Sequence, residues 1–436
     1  MSIDWPAVHR EALDIFVRYL QIDTSNPPGN EAPAARYLGS LFEAEGIETE
    51  YIETAPGREV MVGRLRGDGS KRALMLCNHT DVVPVEEEYW DMPAFEGVVR
   101  GGKVYGRGAV DMKGTGVMQL IAFLALKREG VPLKRDVVFC AVPDEEAGSA
   151  LGMQWLCHHR PDVVDVEFEL SEGGMGTSRF AGKQVKLFNV ATNEKFGGGA
   201  LKLTAVGTPG HGSRPHADNS AVHLMRALVK LADWDRGITY TPDTIAYLER
   251  LAEAGLMPPM SDREAVEAQI RRSPALYANF VNTLNVTMVK SGIKINVIPA
   301  KSQAFCDCRL LPGQDPEEWR KQVEEYIDDP RIQVELARVT SSTLPKPADW
   351  DTELFRTINS VVKEAMEDAV VVPAMTVGAT DNRFLRERGI PAYGFIPCLL
   401  SPEEAAGFHG NNEHLSIENL NMGCELMYEV VRRMCG

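Results

Sequence analysis

Three short apolar runs, each stopping on carboxylates or a histidine, constrain this chain more than any other feature. Ala73 to Cys77 runs into Asn78-His79-Thr80-Asp81, Val137 to Val142 into Pro143-Asp144-Glu145-Glu146, and Val166 to Leu170 into Ser171-Glu172-Gly173-Gly174. Runs of this length bounded by turn residues read as strands buried on both faces. A segment of helical length, Thr115 to Glu129, separates the first two and is preceded by Gly106-Arg107-Gly108-Ala109-Val110-Asp111. Strands alternating with helices predict an α/β layered domain with a mainly parallel sheet. Such sheets place their sites at the carboxyl ends of the strands. His79, Asp81, Asp111, Glu145, Glu146 and Glu172 are therefore expected to share one crevice.

The flanking segments fit the same frame. Leu13, Phe16, Val17 and Leu20 recur at helical spacing before the breaker Asn26-Pro27-Pro28-Gly29, and a second helix is predicted from Ala32 to Glu45. After Phe196-Gly197-Gly198-Gly199 the rhythm changes. Strands are predicted at Leu201–Val206, Thr283–Val289, Ala304–Leu310 and Ile332–Leu336, with helices at Ser220–Asp233 and Pro316–Asp328. This β-α-β-β-α-β order is a compact α+β unit, carrying an insertion at 237–279 whose role the residues do not disclose. From Ser341 the helix–strand pattern resumes. The expected architecture is an α/β catalytic domain from residues 1–195 and 341–436, interrupted by an α+β lid at 196–340.

Five of the six crevice candidates are carboxylates, and like charges so placed raise one another's pKa. Divalent metal ions supply the opposing charge, and carboxylate with imidazole suits zinc, cobalt or manganese. Each residue alone has a plainer reading: a turn histidine, a solvated Glu-Glu helix start, an N-cap at Asp111, a turn glutamate at 172. Their equivalent positions in one sheet pattern favour the joint reading. His409 in Gly407-Phe408-His409-Gly410-Asn411-Asn412-Glu413 would complete the set, with His414 an equal competitor on these grounds. The whole chain carries 46 Lys and Arg against 62 Asp and Glu, a formal charge of −16, which argues against nucleic acid or an anionic membrane as partner. No apolar run has the length of a membrane span, and the opening residues are acidic where a signal peptide would be basic. With eight cysteines, of which Cys306 and Cys308 are too close to pair comfortably, a reduced, cytoplasmic protein is expected.

His79-Thr-Asp81-Val-Val-Pro, Tyr105-Gly-Arg-Gly-Ala-Val-Asp111-Met-Lys-Gly and Asp144-Glu145-Glu146-Ala-Gly together resemble one metallopeptidase family. It is the dizinc family of glutamate carboxypeptidase, aminoacylase, acetylornithine deacetylase and succinyl-diaminopimelate desuccinylase. The resemblance extends from Thr24-Ser25-Asn26-Pro27-Pro28-Gly29 to His409-Gly410. It implies a catalytic α/β domain interrupted by a lid that usually forms a homodimer. It further implies two zinc ions, or cobalt or manganese, bridged by Asp111, with His79 and Glu172 on one and Glu146 and His409 on the other. Glu145 becomes the general base and Asp81 the orienter of His79, and His409 is selected over His414. Two metals can activate a water and polarise a scissile carbonyl; an adjacent carboxylate can shuttle the proton; a second acid fixes the tautomer of a metal-bound imidazole.

The resemblance also bears on substrate. Members acting as aminopeptidases or dipeptidases tend to carry Asp where this chain has Glu172, so Glu172 implies an N-acyl amino acid or a C-terminal peptide bond. In the lid, Gly207-Thr-Pro-Gly-His211-Gly-Ser213 resembles the motif whose histidine stabilises the tetrahedral oxyanion, across the subunit boundary in dimeric members. Asn296 and Arg309 match positions that hold the substrate carboxylate, for which the arginine fork is suited. Thr380 and Asp381 fall where the family lines its pocket, against a plainer reading of Asp381 as a helix cap. The expected protein is a homodimeric amide-bond hydrolase acting on N-acyl amino acids or short peptides. A dipeptidase or aminopeptidase with the same metals is the first alternative. A non-catalytic metal-binding relative is the second, although neither Glu145 nor any ligand is missing. A nucleotide-binding enzyme fails for want of a Gly-Lys-Ser/Thr ending.

Overall fold

The computed structural model describes residues 3–337 and 349–436. The expected boundary at 340/341 lies outside the described residues. The main sheet has eight strands in the spatial order Glu48–Ala55, Arg58–Leu65, Val137–Val142, Leu74–His79, Phe168–Phe180, Ala392–Leu400, Lys183–Glu194 and Val370–Thr376. Its centre is parallel: Leu74–His79 runs with Val137–Val142 and Phe168–Phe180, and the latter runs with Ala392–Leu400. The strand Val137–Val142 is buried at every residue, as is Leu74–His79, the state its uninterrupted apolar pattern predicts. The helix Lys113–Glu129 is buried on all sides as far as Leu126. It ends at Gly130, whose φ of 62° makes the left-handed cap that glycine adopts without a Cβ penalty.

A smaller antiparallel sheet has the order Thr283–Ser291, Lys301–Arg309, Leu201–Val206 and Ile332–Leu336. Helices Ser220–Ala232 and Pro316–Ile327 cover one face through Leu224, Leu231, Trp319 and Val323. The expected β-α-β-β-α-β order is present. Cys306 and Cys308 are buried in this core and unpaired.

One expectation is corrected. The third apolar run does not stop at Ser171-Glu172-Gly173-Gly174; its strand continues to Phe180. Gly174 and Gly176 lie flat against the neighbouring backbone, where a Cβ would stand 2.3 Å from the Gly394 carbonyl oxygen and 2.1 Å from that of Cys398. These glycines mark close strand packing rather than a turn. Strands Glu48–Ala55, Arg58–Leu65, Lys183–Glu194 and Val370–Thr376 have no counterpart in the sequence reading.

Candidate active site

The parallel strands bring their terminal side chains to one end of the sheet. His79 is the last residue of its strand, and Glu145 and Glu146 follow Val137–Val142 across Asp144, whose φ of 75° turns the chain sharply. Glu172 projects from within Phe168–Phe180. Asp111 precedes the buried helix without capping it, since the N-cap position is Met112. Its carboxylate is thereby left for other partners.

Those partners stand on both sides of it. Asp111 Oδ1 lies 3.1 Å from His79 Nε2, and Oδ2 lies 3.1 Å from His409 Nε2. His79 Nε2 is also 3.6 Å from Glu172 Oε1, and His409 Nε2 is 3.2 Å from Glu146 Oε2. Each oxygen of one carboxylate therefore faces its own histidine–glutamate pair. Glu145 joins His79 and Glu172 in a group whose ligand atoms lie within 4.8 Å of one another, as do those of His79, Asp111 and Glu146.

Asp81 ties this cluster together from below. His79 Nδ1 donates to the Asp81 carbonyl at 2.9 Å, while the Asp81 carboxylate stands farther off at 3.6 Å. The backbone of Asp81 is thus the nearer partner of the imidazole. Its carboxylate accepts from the amides of Glu145 and Glu146, both at 3.1 Å, and from Asn26 Nδ2 at 2.9 Å. The turn carrying the two glutamates is in this way tied to the end of the histidine strand. Asp144 is held in turn by Arg58 at 2.7 Å and by the Leu151 amide at 2.9 Å.

Glu413 escaped the sequence reading. It is fully buried and accepts from Arg107 at 2.7 Å and from the amides of Gly108, Val110 and Asp111 at 2.9, 2.7 and 3.0 Å. Four donors converge on one carboxylate and hold the loop that carries Asp111. The available signal was its place in the same Asn-Asn-Glu run as His409. His414, the competitor of His409, is buried, donates locally from Nδ1 to the Asn412 carbonyl and packs on Tyr105. Among the described residues no hydrogen bond or ion pair joins it to the cluster.

The charges in the cluster are strongly coupled. Burial alone would strip His79 of its proton, yet Glu172, Asp111 and Asp81 together hold its pKa well above the ordinary range. Hydrogen bonds to Asp111 and Glu146 lift His409 to about 10. Burial, then Asp111, pushes Glu172 up to about 8, and burial, then Glu172, raises Glu145 well above the carboxylate range. Against the opposing effect of burial, hydrogen bonds from His409 and His79 draw Asp111 downward. The crowding of carboxylates thus calls for positive charge in the cluster. Glu146 Oε1 is buried with no hydrogen-bond partner, and the donors are imidazole nitrogen and carboxylate oxygen. This donor set fits two divalent ions of the zinc, cobalt or manganese kind.

The remaining predicted residues are not drawn into the cluster. His211 is exposed in the smaller unit, where Ser213 Oγ lies 2.8 Å from its Nδ1 and its strand residue pairs with Val297. Asn296 is exposed nearby, and Arg309 is engaged with Asp307 at 2.9 Å. Thr380 is buried and donates to Glu194 at 2.6 Å. Asp381 accepts from Ser149 through Oδ1, keeps a buried Oδ2 without a partner, and is raised to about 6 by burial first. Its charge also adds to the effects that raise Glu145.

Residues 75–433 match the model of the peptidase family M20/M25/M40. Aminoacylase-1A of Rattus norvegicus is 28% identical over 419 residues, covering 95% of this chain and 93% of the relative. The human N-fatty-acyl-amino acid synthase/hydrolase PM20D1 is 28% identical over 439 residues, covering 97% and 87%. Among solved structures, the metallo-carboxypeptidase Sso-CP2 from Sulfolobus solfataricus superposes with a TM-score of 0.71 at 19% identity, covering 97% of this chain and 98% of the other. That likeness is one of fold.

Proposed function

This chain belongs to peptidase family M20/M25/M40 and is a metallohydrolase of amide bonds, and from that premise we propose that it deacylates N-acyl amino acids or removes C-terminal residues from short peptides. One observation carries the assignment: both oxygens of Asp111 are used, each facing a separate histidine–glutamate pair. In this reading His79 and Glu172 hold one ion and Glu146 and His409 the other, with zinc expected and cobalt or manganese as alternatives. Bound there, the two ions supply Lewis acidity to the amide carbonyl and acidify the attacking water. Glu145 accepts the water proton and passes it to the leaving nitrogen. Asp81 and Glu413 are positioning residues, one for the glutamate turn and the other for the Asp111 loop.

The smaller unit, residues 196–340, is assigned as a lid whose His211 stabilises the developing oxyanion, with Asn296 and Arg309 receiving the substrate carboxylate. Thr380 and Asp381 are assigned to the floor of the pocket. A homodimer through the lid is part of the proposal. The edge strand Thr283–Ser291 exposes Val286, Met288 and Val289, and the adjoining helix exposes Met225 and Val229. Apolar residues on a free sheet edge favour association with another chain. All eight cysteines are free and buried, which supports a reducing, cytoplasmic setting. Among the described residues no helix is long and apolar enough to cross a membrane.

Metal analysis of purified protein, combined with a panel of N-acyl amino acids and unblocked dipeptides, tests the assignment. Close to two ions per chain and turnover of the acylated substrates are expected. Full activity in metal-free protein would sink the mechanism. Preference for unblocked dipeptides would move the substrate to the class with a free α-amino group.

A further inference from the structure

The inserted helices Pro242–Glu253, Arg263–Arg272 and Pro274–Tyr277 pack against the outer strands of the main sheet, with Leu248, Leu251 and Val266 in one apolar cluster with Leu187 and Val372. Lys195 is fully buried where this insertion, the main sheet and the smaller unit meet. It directly follows the strand Lys183–Glu194, and its Nζ donates to the carbonyls of Ala278 at 3.0 Å and Val281 at 2.8 Å and to Thr283 Oγ1 at 3.4 Å. These acceptors are neutral, and among the described residues no carboxylate pairs with the ammonium. Burial, then Arg236 and Arg309, pushes its pKa down to about 7. Taking such a cation out of water is costly, and a methionine would fill the space without that cost. The donors of Lys195 therefore matter more than its volume.

Hydrogen bonds lead from this residue in two directions. Toward the smaller unit, Thr283 Oγ1 accepts from the Arg309 amide at 3.3 Å, and the two residues are direct partners across the strand pair. Asp307 engages Nε and Nη2 of Arg309, which leaves Nη1 without a protein partner among the described residues. That nitrogen lies over Gly197, where a Cβ would stand 3.3 Å from it. Toward the cluster, the Lys195 amide donates to the Thr376 carbonyl at 2.9 Å, and Thr376 Oγ1 donates at 2.8 Å to the carbonyl of Gly173, the residue after Glu172. A second path starts one residue earlier. Glu194 accepts from Thr380 at 2.6 Å, and Asn382 Nδ2 donates at 2.9 Å both to Thr380 Oγ1 and to the Glu172 carbonyl.

Resting on the assignment of Arg309 to the substrate carboxylate, we propose that Lys195 is a positioning residue that fixes the span between Arg309 and Glu172. It thereby sets how far from the scissile amide the carboxylate of a substrate must lie. One ammonium holds the root of the Arg309 strand pair and the end of the insertion, while the backbone of residues 194 and 195 is tied to that of Glu172. Without its donors, Thr283 and the Ala278–Val281 segment lose their common anchor, and Arg309 is free to shift relative to the cluster. A displacement of about 1 Å in a group that orients substrate can cost about 10²-fold in rate.

The test takes the substrate turned over fastest in the panel above and its carboxamide, which lacks the charge, and measures kcat/KM for both with metal-loaded protein. Arg309→Ala should lower the carboxylate-to-carboxamide ratio by about 10–100-fold. Lys195→Met should lower the same ratio by about 10-fold or more, with metal content by elemental analysis near that of the wild type. In the double variant the ratio should fall no further than in Arg309→Ala alone, because both changes act through one contact. Thr283→Val keeps the β-branched shape and removes only the oxygen between Lys195 and Arg309. It should move the ratio in the same direction, which keeps the test decisive if Lys195→Met does not fold. A ratio that falls in Arg309→Ala but holds in Lys195→Met and Thr283→Val overturns the positioning role and leaves Arg309 as carboxylate receptor. Losses that multiply in the double variant overturn it as well. A ratio insensitive to Arg309→Ala overturns the assignment of Arg309, and the role of Lys195 with it.

Discussion

The cluster around Asp111 and the loop around His211 are built in opposite ways. The first gathers residues from five separate stretches of the chain: Asp81 and Glu172 are buried and Asp111, Glu145 and Glu146 half-buried, with Asp81 accepting from Asn26 and two backbone amides, and Glu413, held by Arg107, anchoring the Asp111 loop. The second is exposed, and the interactions of His211 stay within its own loop and the short pairing with Val297. A preorganised centre is worth most where charge develops, and the Asp111 cluster has that character within one chain. The His211 loop does not. In the proposed mechanism, folding of one chain completes the first, whereas closure or a second subunit brings in the second.

The largest expected effect lies on the preorganised side. Glu145→Gln keeps the shape of the turn held by Asp81 and removes the proposed base, so turnover should fall by about 10²–10⁴-fold while metal content measured by elemental analysis stays near that of the wild type. Near-normal turnover would mean another group takes the proton. On the other side, His211→Ala should lower kcat by about 10²–10³-fold without changing metal content. Mixing the two inactive variants sharpens the comparison further. If the partner subunit supplies His211, heterodimers regain one intact site and activity returns on mixing; no recovery from an exchanging dimer would put His211 in the service of its own chain.

What was legible in the sequence follows the same division. His79, Glu145, Glu146 and Glu172 were readable because parallel strands are buried on both faces, so a polar residue ending an apolar run stands out. The lid histidine was readable only through resemblance, since no local pattern distinguishes it from a turn residue. At Glu172 the sequence suggests a strand end, because Gly173-Gly174 resembles a turn; the strand instead runs on to Phe180, Glu172 stands beside His79, and the glycines accommodate neighbouring backbone. The outer strands Lys183–Glu194 and Val370–Thr376 escaped because both of their faces are covered, Phe188, Val190 and Val371 by the main core and Leu187 and Val372 by the cluster under the inserted helices, which removes the alternation that marks a half-buried strand. The insertion stayed mute for a related reason. Its helices Pro242–Glu253 and Arg263–Arg272 have apolar faces, but nothing in their spacing says that the cover is the main sheet rather than the lid.

Glu413 shows how a residue can be hidden by its role. It touches no reacting group and is recognisable only from the four donors that meet at its carboxylate. Glu413→Gln keeps the volume and replaces one acceptor oxygen by a donor, so the amides or Arg107 lose a partner and the Asp111 loop loosens. Residues in such supporting positions typically alter metal affinity by about 10–100-fold. Titration with a chelator should register weaker retention, together with a smaller fall in turnover at saturating metal than Glu145→Gln produces. Equal metal retention in the two proteins would reduce Glu413 to a packing residue.

The smallest effect concerns protons. Without ions, burial followed by Asp111 holds Glu172 near 8, and hydrogen bonds to Asp111 and Glu146 hold His409 near 10. For Glu172 the folded pKa lies above its unfolded value, so the folded chain binds the extra proton and loses stability as pH rises from about 4.5 through about 8. For His409 the pairing stabilises the fold fully below about 6.5, and that contribution disappears as pH rises through about 10. Both signs make metal-free protein less stable toward alkaline pH. Ligation requires the carboxylate and the neutral imidazole, so loading at neutral pH must expel these protons, and metal affinity must rise with pH. Calorimetry of metal binding in buffers of different ionisation enthalpy should therefore record net proton release, and the gap in Tm between loaded and metal-free protein should widen from about pH 6 to about pH 9. A gap that narrows over that range would place the ions elsewhere than between these two histidine–glutamate pairs.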